Sequence, residues 1–202
     1  MNQYHEDFLL HLSSRDPILH KVVMQNGPIL LPDTDNPFRH LVRIITGQQL
    51  SVRTAATIYG RVEEFLGINY TPESVLESKD EDLRSLGLSN SKVKYINSVA
   101  EAAGVGCKNF SKFSEMTDEQ VIQVLTEING IGVWSAQMFL MSNLKRPDVF
   151  APEDLGLKKA MCNLYGYEMQ GPEKLWDNRA EVWSPYRTLA SFHLWRSLEN
   201  NT

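Results

Sequence analysis

Residues 125–154 combine a glycine-rich turn with a carboxylate further along the chain. Gly130 and Gly132 flank Ile131, and the two glycines free the backbone to turn sharply between two helical patterns. A short turn of this kind exposes backbone N–H groups at the start of its second helix, where the helix dipole also favours an anion. The arrangement therefore predicts binding of a phosphate group, with an acid available for chemistry nearby.

The apolar residues around this turn have a spacing typical of two helices joined by a hairpin. Leu125 and Ile128 precede the glycines, and Ala136, Phe139 and Leu140 follow them with a 3.6-residue period. The small Ala136 falls where two helices must approach closely. The alternative is that Gly-Ile-Gly is only a turn that ends one helix. The full spacing favours a hairpin that faces DNA.

Asp154 is the candidate catalytic carboxylate. It follows Pro152, which suits the first position of a helix, so the sequence predicts Asp154 in the opening turn, where the dipole favours negative charge. A carboxylate in a pocket can stabilise a cationic sugar transition state or orient a water toward it without a metal. The alternative is that Asp154 only caps its helix. Glu153 would point about 100 degrees away around a helix and is a poor partner for it.

Length and composition predict a folded protein inside the cell. The chain has 202 residues, of which 42% are hydrophobic, so it can bury the core of one compact domain or of two packed lobes. It contains no run of about 18 apolar residues, and its N-terminus is acidic, so we expect no membrane association and a location in the cytoplasm, nucleoid or nucleus. Cys107 and Cys162 are the only cysteines, which predicts small buried residues and no disulfide.

The charge of the chain argues against DNA binding by bulk electrostatics. The formal net charge is −5, and acidic residues crowd 73–82 and 115–127. Basic residues nearer the motifs could still form one cationic face, although such residues often only solvate a surface. They are Lys92, Lys94, Lys158, Lys159, Arg179 and Arg187.

Periodicity and capping signals predict an all-α protein. Asn36-Pro37 precedes an apolar stripe that begins at Phe38, and Thr117 to Gln120 reads as a capping box. No segment alternates for long like a half-buried strand. The predicted helices lie near 4–12, 15–25, 37–49, 52–66, 72–77, 80–85, 90–106, 118–127, 132–143, 153–164, 172–181 and 185–199.

Several segments together resemble a known family, the helix-hairpin-helix DNA glycosylases with a Gly/Pro-rich loop and a catalytic aspartate, specifically the 3-methyladenine DNA glycosylase II (AlkA-like) branch. The hairpin, Trp134 and Asp154 carry the first part of this resemblance. Residues 45–62 are similar to the family's Gly-Gln-Gln-Leu-Ser stretch, 83–103 to its Leu-Gly-Leu-x-x-x-Lys helix, and 183–198 to its terminal tryptophan-rich helix. Together these segments cover most of residues 36–199.

The resemblance implies a two-lobed helical fold in a compact form, a single domain over residues 1–202 with the helix-hairpin-helix at about 118–143. It also implies an enzyme that hydrolyses the N-glycosidic bond of alkylated purines of the 3-methyladenine type in duplex DNA, acting in base excision repair as a monomer. Asp154 would be the catalytic residue, and no cofactor is implied. Bifunctional relatives carry a nucleophilic lysine where this chain has Trp134, so the resemblance implies no strand-cleaving lyase activity.

An enzyme of this kind must rotate the damaged nucleotide out of the duplex and fill the gap. Gln48, Gln49 and Leu50 resemble the family's wedge loop, with Gln49 or Leu50 as the inserted side chain. The alternative is that Leu50 belongs to the core and Gln48 caps a helix. Trp134 and Trp195 correspond to base-pocket positions, where an aromatic face attracts a positively charged alkylated purine. Either tryptophan could instead be core, as is expected for Trp176 and Trp183.

The same resemblance assigns phosphate binding to the backbone of Gly130, Ile131 and Gly132, with a monovalent cation held by the hairpin carbonyls and no catalytic metal. This chain departs from the family pattern at two positions. Met138 stands in the pocket where some relatives have tyrosine, and Glu153 adds negative charge near the sugar site. Tyr186 and Arg187 are candidates to brace the pocket or reach a phosphate.

Two other functions compete with this one. The first is a DNA-binding protein that senses lesions or DNA structure without catalysis. The second is a glycosylase for deaminated or oxidised bases. A protein-interaction domain on a glycosylase-like scaffold is a more distant third, since a fold alone does not specify an activity.

Overall fold

The computed structural model describes residues 3–30, 36–104 and 110–199. These residues form twelve α-helices and one short 3-10 turn, Phe110–Glu115, and contain no β-strand, which confirms the all-α prediction. The helices are α1 (Gln3–Arg15), α2 (Pro17–Asn26), α3 (Pro37–Gly47), α4 (Val52–Leu66), α5 (Pro72–Leu76), α6 (Asp80–Ser85), α7 (Asn90–Ala103), α8 (Asp118–Thr126), α9 (Val133–Ser142), α10 (Leu155–Tyr165), α11 (Glu173–Glu181) and α12 (Arg187–Glu199).

The chain divides into two compact units. Unit 1 combines the two ends, Met1–Pro32 and Lys145–Thr202, and holds α1, α2 and α10 to α12. Unit 2 is the middle of the chain, Asp33–Leu144, and holds α3 to α9. The hairpin therefore belongs to unit 2 and Asp154 to unit 1. A single domain over residues 1–202 remains a prediction.

Local capping chemistry sets several helix starts where the sequence predicted them. Asn36 caps α3 by accepting a hydrogen bond from the Phe38 amide, and Pro37 takes the first helical position. Thr117 and Gln120 form the predicted capping box at α8. Helices α8 and α9 lie on either side of the hairpin. Each begins and ends within one residue of its predicted bounds.

Other boundaries differ from the prediction. Helix α10 begins at Leu155, so Asp154 is its capping residue and Pro152 lies in the turn before the helix. The predicted place of Asp154 inside the first turn was wrong, because its side chain makes the capping hydrogen bond that starts the helix. Helix α12 begins at Arg187, after a cis peptide bond between Ser184 and Pro185.

The core of unit 2 forms where α3 packs against α7 and α9. Leu41 and Ile45 of α3 are fully buried, as their spacing predicted. The Phe139 ring of α9 meets the Phe113 ring edge-on, with 5.7 Å between centroids. These contacts hold the C-terminal end of α3 and the start of α9 within one packed unit.

In unit 1 a buried carboxylate joins three parts of the chain. Asp16, which is 1% exposed, caps α2 by accepting from the Leu19 amide at 3.0 Å. It also accepts from the Tyr165 hydroxyl at 2.7 Å and the Trp183 indole at 2.8 Å. A buried carboxylate is stable only when its oxygens are hydrogen-bonded, and this one is. The network fixes the C-terminal end of α10, the helix that Asp154 begins.

The sequence also predicted that two tryptophans and two cysteines are buried, and these predictions have different outcomes. Trp176 and Trp183 are 1% and 0% exposed, so both belong to the core as expected. Cys162 is a free thiol that is only half buried, so the prediction of a buried residue was too strong. Cys107 lies outside the described residues.

His193 of α12 is buried in the core of unit 1 beside another imidazole. It is 0% exposed, and its ring lies 5.9 Å from the His5 ring. Burial, then the nearby charges of His5 and Arg196, lower the pKa of His193 to about 3 from its ordinary value of 6.5. The folded protein therefore keeps this imidazole neutral under mildly acidic conditions.

This pKa predicts loss of stability in acid. Between about pH 6.5 and pH 3 the unfolded chain binds a proton at His193 that the folded chain does not bind, so the free energy of unfolding falls as the pH falls. The slope from this residue is at most about 1.4 kcal/mol per pH unit. Urea unfolding at pH 6.5 and 4.5 measures it. His193→Phe should reduce the pH dependence, while the control Gln25→Met, which removes no titratable group from an exposed position on α2, should leave it unchanged.

Candidate active site and DNA-binding hairpin

Two donors from different parts of unit 1 hold the carboxylate of Asp154. Its Oδ1 accepts from the Leu157 amide at 2.7 Å and from the Trp195 indole Nε1 at 2.9 Å. Asp154 is 9% exposed, and the N-terminal end of the α10 dipole favours negative charge there. The capping interaction that the sequence offered as an alternative is present. The indole is a second donor that capping does not need, and it holds the same carboxylate oxygen in place.

A glycine makes room for this contact. A Cβ atom on Gly156 would lie 3.0 Å from Asp154 Oδ1 and 3.1 Å from the Trp195 ring. Any side chain at this position would push the acid and the indole apart. Gly156 was not among the residues that the sequence singled out, and only the tertiary contact shows what it does.

Helix α12 also fixes the approach segment, residues 146–154, which leads to the acid. Thr188 is 3% exposed, and its hydroxyl donates to the Arg146 carbonyl at 2.6 Å and accepts from the Val149 amide at 3.0 Å. The Thr188 amide donates to the Pro147 carbonyl at 3.1 Å. The first turn of α12 thus holds the beginning of the approach segment, and Trp195 holds its end.

An ion pair reinforces the same connection. Arg187 donates to Asp148 through Nε at 2.8 Å and Nη2 at 3.1 Å, and the Ser184 hydroxyl adds a third hydrogen bond at 2.8 Å. Partial burial acts to raise the pKa of Asp148, but the hydrogen bonds from Arg187 and Ser184 outweigh it and hold the pKa below its ordinary value. Of the two roles considered for Arg187, bracing is the one that its contacts support.

Glu153, the residue beside the acid, is turned toward a lysine. Its Oε2 lies 3.4 Å from Lys158 Nζ, and the side chains are 60% and 15% exposed respectively. Lys158 also lies 6.0 Å from the Trp176 ring centroid. The negative charge that Glu153 brings to this region is therefore partly compensated within α10 and its N-terminal turn.

The glycine hairpin, residues 130–132, needs its glycines for two different reasons. Gly130 has φ +93, and a Cβ there would overlap the Tyr95 ring of α7. Gly132 precedes α9 as its capping residue, and a Cβ there would meet no atom within 4 Å. One glycine therefore permits close packing inside unit 2. The other leaves open space in front of the first amides of α9, where an anion could approach.

The middle residue of the hairpin is an anchor. Ile131 is 4% exposed, and its amide donates to the Ile128 carbonyl at 3.1 Å. That amide serves the turn itself, so the amides still open to the predicted phosphate are those of Gly132 and the start of α9. The Gly130 carbonyl likewise accepts a hydrogen bond from Gln48. The Ile128 and Gly130 carbonyls thus each accept a hydrogen bond, which leaves a second lone pair on each oxygen. A monovalent cation at the hairpin carbonyls remains a prediction.

The wedge loop, residues 48–50, divides into an anchored residue and an exposed tip. Gln48 follows α3 as its C-cap, and its Nε2 donates to the Gly130 carbonyl and the Ser135 hydroxyl, each at 3.0 Å. Gln49 is exposed with φ +57, and Leu50 is 38% exposed. The capping alternative for Gln48 is confirmed, while the alternative that Leu50 belongs to the core is wrong. The tip therefore consists of Gln49 and Leu50.

The tryptophans predicted for a base pocket are both half-buried. Trp195 lies on α12 in unit 1, and Trp134 lies in the first turn of α9 in unit 2. Met138, one turn after Trp134, is also half-buried. Because each of these side chains is half-buried, part of it is accessible to solvent. A side chain that only filled the core would be fully buried.

The described part of the chain, residues 3–30, 36–104 and 110–199, shows neither a metal-binding cluster nor a membrane-spanning helix. Within those ranges, no group of three or more His, Cys, Asp and Glu side chains is placed to hold a metal ion. None of the helices found there is long and apolar enough to cross a membrane.

Comparison with known proteins identifies the family. The model of the HhH-GPD superfamily of base excision DNA repair proteins matches residues 42–185. The chain belongs to this superfamily. The DNA-3-methyladenine glycosylase of Saccharomyces cerevisiae is 31% identical over 95% of this chain and 79% of its own length.

Solved structures of other HhH-GPD proteins share the fold. A DNA-3-methyladenine glycosidase from Bacillus halodurans is 37% identical, with a TM-score of 0.75 over 93% of this chain and 86% of its own. The 3-methyladenine DNA glycosylase of Schizosaccharomyces pombe, in complex with abasic DNA, is 27% identical, with a TM-score of 0.86 over 96% and 97%. The resemblance inferred from the sequence motifs is thereby confirmed.

The contacts of Thr188 predict its effect on stability. Thr188→Val keeps the shape of the side chain but leaves the buried Val149 amide without its acceptor, so the free energy of unfolding should fall by about 1–3 kcal/mol. Thr57→Val is the matched control, because the Thr57 hydroxyl bonds only its own helix at an exposed position and its loss should cost less than about 0.5 kcal/mol. Urea unfolding measures both. Equal losses in the two variants would contradict the assigned role of Thr188.

Proposed function

We propose that this protein is a monofunctional DNA glycosylase that hydrolyses the N-glycosidic bond of alkylated purines, of the 3-methyladenine type, in duplex DNA. The observation that carries the proposal is the Asp154 carboxylate, fixed by the Leu157 amide and the Trp195 indole. Relatives that are named as 3-methyladenine glycosylases over almost the whole chain support the substrate class. The enzyme acts in base excision repair as an intracellular monomer.

Asp154 acts on the sugar of the damaged nucleotide. Departure of the base leaves positive charge on the deoxyribose ring, and a carboxylate held at that ring stabilises this charge or orients the attacking water. Two donors on Oδ1 hold the group still, so little reorganisation is needed as the charge develops. Water adds at C1′ in place of the base, and the product is an abasic site.

Unit 2 binds the DNA backbone and opens the duplex. The amides around Gly132 and the start of α9 bind a backbone phosphate, aided by the helix dipole. The exposed tip of the wedge loop, Gln49 and Leu50, enters the space that the rotated nucleotide leaves. Binding through backbone amides explains how a chain of net charge −5 can bind a polyanion.

Aromatic faces select the base. An alkylated purine that carries positive charge is attracted to the ring faces of Trp134 and Trp195 more strongly than a neutral base is. Met138 adds a polarizable apolar side chain in place of a further aromatic ring. A lesion panel that compares 3-methyladenine with neutral hypoxanthine and oxidised bases tests this preference directly. Faster release of the neutral bases would instead indicate the glycosylase for deaminated or oxidised bases.

The replacement Asp154→Asn tests the catalytic role. Asparagine keeps the size of the side chain and an oxygen for both donors, so folding and DNA binding should persist while single-turnover base release falls by about 10²–10³. The assay incubates methylated duplex DNA with the protein, then cuts abasic sites with hot alkali. Asp177→Asn, at an exposed position on α11, is the matched control.

Near-normal release by Asp154→Asn would remove Asp154 from this role. DNA binding without base release by the natural chain would favour the lesion sensor.

The residue Trp134 predicts the absence of lyase activity. An indole cannot form the Schiff base through which a lysine amine at this position attacks C1′. Incubation with abasic duplex DNA should therefore trap no covalent protein–DNA complex when sodium borohydride is present, and should yield no strand cleavage when borohydride is left out. Trp134→Lys alone is not expected to create efficient lyase activity. A trapped complex with the natural chain would contradict the monofunctional assignment.

A further inference from the structure

The side chain of Gln48 is committed to the glycine hairpin. Its Nε2 carries two hydrogens, and both are used, one on the Gly130 carbonyl and one on the Ser135 hydroxyl, each at 3.0 Å. Ser135 is 2% exposed in the first turn of α9. An inserted Gln48 would have to leave both acceptors, so the side chain is better suited to connecting two parts of unit 2 than to entering DNA.

A second connection holds the same end of α3. Lys92 of α7 donates through Nζ to the Thr46 carbonyl at 2.8 Å, and burial lowers the pKa of this lysine. Three residues along α7, Tyr95 packs against Gly130 so closely that no Cβ fits there. Helix α7 therefore touches both the base of the wedge loop and the hairpin.

These contacts form a closed ring inside unit 2. It runs from the end of α3 through Gln48 to the hairpin, from Gly130 to Tyr95 of α7, and from Lys92 back to Thr46. Gln49 and Leu50 project from this ring as an exposed turn, closed by the Leu50 amide on the Gly47 carbonyl at 3.1 Å. The ring fixes the position of the hairpin relative to the tip of the wedge loop.

We propose that Gln48 is a positioning residue that couples the phosphate-binding hairpin to the wedge tip, so that strand anchoring sets how far Gln49 and Leu50 reach into the duplex. This inference rests on the proposed function, because it concerns the opening step of the same reaction. Gln48 is then outside the inserted part of the wedge loop, although it is adjacent to it in sequence.

The test compares Gln48→Met, which keeps length but loses both hydrogen bonds, with Ser135→Ala, which removes one acceptor from a side chain that is buried. Each full-length protein is assayed for single-turnover release from a duplex with one 7-methylguanine opposite cytosine. Gln48→Met should slow base release by roughly tenfold, because a change of this size is expected when one coupling interaction is lost. Ser135→Ala should slow it to a smaller extent, and the double variant should be no slower than Gln48→Met. Gln25→Met, at an exposed position on α2, is the control and should match the natural chain.

A second substrate separates positioning from general damage to the protein. When the same 7-methylguanine lies opposite an abasic-site analogue, it has no pairing partner to lose and needs less help to leave the helix. The rate of base release by Gln48→Met should then be within about twofold of the rate of the natural chain, because less insertion by the wedge loop is needed. Gln48→Glu, which also loses the donor, should behave in the same way, and urea unfolding verifies that each variant is folded.

Several outcomes would overturn the proposal. A normal rate for Ser135→Ala beside a slow Gln48→Met would mean that Gln48 contacts DNA itself. Equal slowing on both substrates would mean a structural role only, and a normal rate for Gln48→Met would mean no role. If the natural chain releases no base at all, the proposed function fails separately, and 2-aminopurine placed beside the lesion then reports duplex opening. Opening by the natural chain but not by Gln48→Met supports the coupling, and no opening by either overturns it.

Discussion

The hydrogen bond from the Trp195 indole to Asp154 Oδ1 is the interaction on which the proposed catalytic role of unit 1 depends. An aspartate at the start of a helix needs only the amide three residues on, here Leu157, to act as a cap. The indole adds a donor from a helix that is distant in sequence, and Gly156 leaves the space in which acid and ring can meet. A capping residue thereby becomes a fixed charge, which is what electrostatic stabilisation of a transition state requires.

Helix α12 is the element that makes this fixation possible. Its first turn holds the start of the approach segment through Thr188 and the Arg187–Asp148 ion pair, and Trp195, two turns later, holds the end. Because a helix is stiff, two attachment points along it fix the segment between them. The buried Asp16 network secures the far end of α10 in the same unit. The acid is thus supported by hydrogen bonds on both sides of its position in the chain.

In the proposed function, unit 2 has a different task, which is to bind a polyanion although the chain is acidic. Several of the basic residues that could have formed a cationic face are engaged within the protein: Arg187 with Asp148, Lys158 with Glu153, and Lys92 with the Thr46 carbonyl. The hairpin instead offers backbone amides and a helix dipole, which bind an anion without adding net charge. Gln48 and α7 tie this hairpin to the wedge loop, so affinity and duplex opening share one support.

The sequence by itself determined the all-α class, the helix starts at Asn36 and Thr117 and the glycine hairpin, because capping, periodicity and turn chemistry are local. It also supplied Asp154 as the candidate acid. It did not determine the partners of those residues. Trp195 lies 41 positions from Asp154, and Gly130 lies 82 positions from Gln48. The sequence offered Gln48 as a helix cap but gave no partner for its side chain, and it gave no partner for Lys92 or the tryptophans. Only packing brings such distant donors and acceptors together, so only the tertiary structure decided that Asp154 is held by an indole and that Gln48 is an anchor.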